Sequence, residues 1–139
     1  MANRTPAQIY ALVIGAVLVV AGIIGFFYSA AFGSPGDTDA VFGILEVNAW
    51  HNIVHIATGA LGLLAVGYAA RTYALGLGAV YAVVALWGFI IGDGESILGF
   101  IPVNTEDNVL HALIAVAGIA AGLATSERPA TRAAEPRAA

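Results

Sequence analysis

Val47-Asn48-Ala49-Trp50-His51-Asn52-Ile53-Val54-His55 opens an apolar run that continues to residue 70, and Val103-Asn104-Thr105-Glu106-Asp107-Asn108-Val109-Leu110-His111 opens another 56 positions later. Both stretches read Val-Asn-x-x-x-Asn-x-x-His, a polar stripe at the head of a hydrophobic segment. Two further apolar runs lie at about 9–32 and 73–92, so that four runs, with 47–70 and 107–125, are long enough to cross a hydrocarbon core of about 30 Å at about 1.5 Å per residue. A composition 60 % hydrophobic and 10 % charged over 139 residues is too apolar for a soluble domain of this size. Continuous apolar runs, without alternation of polar and apolar residues, specify helices and exclude a barrel.

The similarity extends outward from the stripes. Gly43 and Ile44 precede Asn48 as Gly99 and Phe100 precede Asn104. Tyr10-Ala11-Leu12, Gly15-Ala16-Val17, Val20 and Gly25-Phe26 recur 63 positions on as Tyr73-Ala74-Leu75, Gly78-Ala79-Val80, Val83 and Gly88-Phe89. The reading is an all-α polytopic membrane four-helix bundle of two tandem two-helix repeats, about 9–70 and 73–125. Both repeats enter the membrane in the same direction, so the symmetry axis runs along the membrane normal. Residues 1–125 form the transmembrane domain, and 126–139, without apolar periodicity, read as a disordered cytoplasmic tail. The match between the first run and an internal helix argues against a cleaved signal, although Ser29-Ala30-Ala31 resembles a cleavage site.

Charge sets the orientation. The chain has no Lys, and Arg4, Arg71, Arg128, Arg132 and Arg137 fall on one side of four threaded helices, which places both termini in the cytoplasm of a multi-pass plasma-membrane protein. Most acidic residues fall in or beside the two outer connections. The net charge of −4 offers no basic face for nucleic acid. With no Cys, no Ser in a nucleophile setting and no phosphate loop, catalysis is unsupported. Gly92-Asp93-Gly94-Glu95 reads as a solvated turn, because two carboxylates are too few for a calcium loop.

At about 100° per residue, Asn48, His51, Asn52, His55, Gly59 and Gly62 share one face of helix 2, and Asn104, Asp107, Asn108, His111, Ala115, Gly118 and Gly122 share one face of helix 4. Polar groups head each stripe and small residues complete it, which turns both towards other helices and brings the cluster together between helices 2 and 4 near the outer face. Asn104 or Thr105 also reads as the N-cap of helix 4, with Asp107 in its first turn, and Asn48 reads in the same way at helix 2.

Three functions compete for the cluster. The first is a non-catalytic structural or accessory subunit, in contact with lipid and with other membrane subunits or with itself, whose Asn, His and Asp side chains fix helix packing. The second is a haem- or metal-binding protein. His51 and His55 have the i, i+4 spacing that aims two imidazoles at one point, His111 and Asp107 complete a shell, or His55 and His111 face a haem iron. The third is a proton relay or a small-ligand site lined by His and Asp, or an oligomeric channel or carrier.

His51-Asn52-Ile53-Val54-His55 with Gly59 and Gly62, together with the stretch from Phe100 to His111, resembles the bacterial membrane proteins grouped as domain of unknown function 4383, over about residues 8–124. The resemblance implies a four-helix membrane protein and carries no activity or residue role with it.

Overall fold

A computed structural model describes residues 4–33 and 38–126. It contains four helices, α1 (Pro6–Phe26), α2 (Ala49–Ala65), α3 (Ala70–Ile91) and α4 (Thr105–Leu123). Three of them, α1, α3 and α4, are long and apolar enough to cross a membrane. With its exposed Val, Ile and Leu side chains along these helices, this is a membrane protein. The tail expected beyond residue 126 lies outside the described residues.

Local chemistry sets the helix ends. Thr5 and Gln8 form a capping box with Pro6 at the first turn, so α1 begins three residues before its apolar run. It ends at Phe26, six residues short of the apolar run, because the chain turns there and leaves as an extended segment whose Ser29 carbonyl is used elsewhere. Asn48 is extended and its side chain accepts from the His51 backbone N–H, which delays α2 to Ala49. The turn at 66–69 then ends α2 after 17 residues, about 26 Å at the usual rise. Gly92, at φ +88°, stops α3. Asn104 and Asp107 form the capping box of α4.

The connections from α1 to α2 and from α3 to α4 are β-hairpins, not plain loops. β1 (Asp39–Val41) pairs antiparallel with β2 (Leu45–Val47), and β3 (Glu95–Ile97) with β4 (Ile101–Val103). Three residues join the strands of each hairpin, 42–44 and 98–100, and Phe42, Gly43, Leu98 and Gly99 in them all stand at positive φ, which lets so short a connection reverse the chain. Glu95 of the expected solvated turn is thus the first residue of a strand.

Helix α1 packs mainly on α2, and α3 on α4. Gly15 and Gly59 allow the first close approach: a Cβ on either would come within 3.0 Å of the other's carbonyl oxygen. A Cβ on Gly78 would likewise stand 3.0 Å from the Ala115 carbonyl oxygen. The two pairs then exchange side-chain contacts. Tyr10 of α1 donates to the Ile114 carbonyl of α4 (3.0 Å), and Tyr73 of α3 to the Thr58 carbonyl of α2 (3.1 Å), with the two rings 6.2 Å apart. Below them Gln8, Val66, Arg71 and Thr125 link the opposite end of the bundle through backbone carbonyls.

Candidate metal centre

The polar stripes divide into two structures. Asn48 Nδ2 donates to the Phe100 carbonyl and Asn104 Nδ2 to the Ile44 carbonyl, both at 2.6 Å, so each helix cap also clamps the other half's hairpin. Asn52 Nδ2 donates to the Ser29 carbonyl (2.9 Å). Asn52 Oδ1 and Asn108 Oδ1 are buried without an N–H or O–H donor. Each instead lies against the Cα of a glycine, Gly25 and Gly88 respectively, the setting of a Cα–H···O contact that recurs twice. These four asparagines are committed to packing.

Asp107 is committed as well. Its Oδ2 accepts from the backbone N–H of Glu46 (3.0 Å) and of Asn104 (3.4 Å). His51 stands 56 positions earlier and would face the nitrogen of residue 102 if the contacts matched throughout. That residue is Pro102, which has no N–H to give. His51 turns its Nδ1 instead to the Glu46 carbonyl, at 2.9 Å. Asp107 with Glu46 and His51 with Pro102 are therefore coupled departures from the repeated sequence. The Glu46 carboxyl lies outside the spans and is pushed up from its ordinary range, first by burial and then by Asp93 and Glu106.

The three histidines converge. Ring centroids are 4.4 Å apart for His51 and His55, 5.9 Å for His51 and His111 and 6.3 Å for His55 and His111. One ligand atom from each lies within 4.8 Å of the others. A backbone carbonyl can only accept, so His51 carries its proton on Nδ1 and presents the lone pair of Nε2. That Nε2 is buried with no hydrogen-bond partner, as is His111 Nδ1. An imidazole held by Nδ1–H to a carbonyl with its other nitrogen free is the orientation metal-binding histidines commonly show.

A haem fits this trio poorly. The three separations put the His51 ring about 4 Å from the midpoint between His55 and His111, where the iron would sit, and inside the outline of the porphyrin. A single ion needs far less room. Tetrahedral bonds of about 2.0–2.1 Å place ligand nitrogens about 3.3 Å apart, so small rotamer shifts close the site. Asp107 does not join the trio, since its carboxylate is turned to the hairpin.

Sequence reasoning missed Tyr81, whose ring stands edge-on to His111 at 5.1 Å, and the glycines beneath the Asn amides. Tyr81 occupies the position of Leu18 in the first half, so the signal available was an aromatic departure from the repeat on a buried helix face.

The sequence profile of DUF4383, a domain of unknown function, matches residues 8–124. The chain belongs to that family. Neither the curated proteins nor the solved structures include a match to it.

Proposed function

We propose that this membrane protein holds one transition-metal ion on His51, His55 and His111, in the outer part of a plasma-membrane bundle whose termini face the cytoplasm. The observation that carries the reading is His51: its tautomer is set by the Glu46 carbonyl, and its free Nε2 is buried among two other imidazoles. Imidazole nitrogen suits zinc, copper, nickel and iron. The orientation rests on Arg4 and Arg71 at the end opposite the acidic hairpins. The asparagines and Asp107 act as helix glue, the part of an accessory-subunit reading that their hydrogen bonds favour.

The test is elemental mass spectrometry of protein purified without a His tag or chelator, then dialysed against Zn(II), Ni(II) and, anaerobically, Cu(I). About one ion per chain is expected, lost in His55→Asn and His111→Asn variants that still unfold cooperatively. Wild-type protein that retains none of these ions overturns the proposal, as does binding that survives both substitutions.

A further inference from the structure

The trio differs from an ordinary protein metal site in what it lacks by way of charge. All three ligands are imidazoles. Among the described residues no Cys, Asp, Glu or further His groups with them. The carboxylate that stands one helical turn before His111, Asp107, is spent on two backbone N–H groups. Glu46 faces Asp93 and Glu106 at the outer surface. His51 and His111 are 2 % and 5 % exposed, so an ion bound there exchanges water for a weakly polarisable surround without gaining a counter-charge.

We infer that the site selects a monovalent d10 ion, Cu(I), over divalent metals; this rests on the metal-binding reading of the same three histidines. The cost of burying an ion grows with the square of its charge, so a monovalent ion bears about a quarter of the penalty of a divalent one of like size. Coordination number acts in the same direction. Zn(II) takes four ligands in structural sites and Ni(II) takes four or more, whereas Cu(I) is satisfied by three nitrogens in a plane. Tyr81 stands edge-on to His111, with ring centroids 5.1 Å apart, and among the described residues no Cys, Asp, Glu or further His is grouped with the trio as a fourth ligand. Neutral imidazoles without thiolate also set this site apart from the sulfur-rich sites that usually hold Cu(I), and they keep the bound complex at a single positive charge.

The experiment uses the full chain in detergent, loaded anaerobically with Cu(I) and challenged with Zn(II) at about a hundredfold excess. Retained copper, with an X-ray absorption edge of Cu(I) and three nitrogen neighbours, is expected, along with displacement of copper by Ag(I). Zn(II) displacing the copper, or a coordination number of four or more, overturns the inference and leaves the metal-binding reading intact. Retention of neither metal overturns both. The nitrogen count is made on wild-type protein, so it stands even where His55→Asn fails to fold.

Discussion

Replacing Gly25 by Ala places a methyl group on Asn52. The new Cβ would overlap Oδ1 and lie 3.1 Å from Nδ2. The amide has nowhere simple to go, because Nδ2 is tied to the Ser29 carbonyl and the residue is fully buried. Overpacking of a tight interior costs about 1–3 kcal/mol, and rotating the amide sacrifices a hydrogen bond of about 1 kcal/mol, for a loss of about 2–4 kcal/mol. Asn52→Ala removes the obstacle, so the double variant should recover much of the Gly25→Ala loss, a coupling of about 2 kcal/mol. Gly76→Ala in α3 is the control: no atom lies within 4 Å of its new Cβ, and stability should hold or rise by about 0.5–1 kcal/mol. Unfolding of the wild type and these four variants by added SDS in mixed micelles reads the differences directly. A Gly25→Ala variant as stable as Gly76→Ala, or losses at 25 and 52 that simply add, would refute the account of the Asn–Gly contact.

Two further outcomes follow from the outer face. Asn104→Ala should cost about 2–3 kcal/mol in the same assay, from the lost cap and the lost bond to Ile44, while Asn104→Ser, which can cap but not reach the hairpin, should lose about half as much; equal losses would remove the clamp from the explanation. Glu46 has a raised pKa in the folded protein, so the folded state holds this proton more tightly than the unfolded chain. Its contribution is therefore present below the unfolded value of about 4.3 and is lost as pH rises through the raised value. Glu46→Gln should melt higher than wild type at neutral pH and match it near pH 4, and a lower melting temperature at pH 7 would count against the cause assigned here.

Hydropathy made the helices legible because lipid demands the same apolar signal from every residue of a span, and the stripe geometry made the histidines legible because Asn48, Asn52 and His55 repeat at one spacing. The pairing of helices was harder to read. Gly59 lies on the same stripe as His55, yet it packs against Gly15 of α1; helices 2 and 4 bring their imidazoles together near the hairpin end. A stripe of small residues says that some backbone approaches and does not say which. The hairpins escaped notice for a different reason. Tight hairpin turns are usually announced by Asn-Gly or Asp-Gly, and here Phe42-Gly43 and Leu98-Gly99 take positive φ in three-residue loops between strands of only three residues. Asp107 misled as a ligand because spacing shows where a carboxylate stands, not that the Glu46 and Asn104 N–H groups have already claimed it.

The reciprocal clamp of Asn48 on Phe100 and Asn104 on Ile44 bears on the order of synthesis. When α1 and α2 have been made, the Asn48 amide waits for a carbonyl 52 residues further on, and two imidazoles wait for a third on α4. The first helix pair thus enters the bilayer with its polar mouth open. Its completion belongs to the end of translation, when α4 arrives and closes both halves at once, and a chain truncated before α3 would lack both the Phe100 carbonyl and the His111 imidazole.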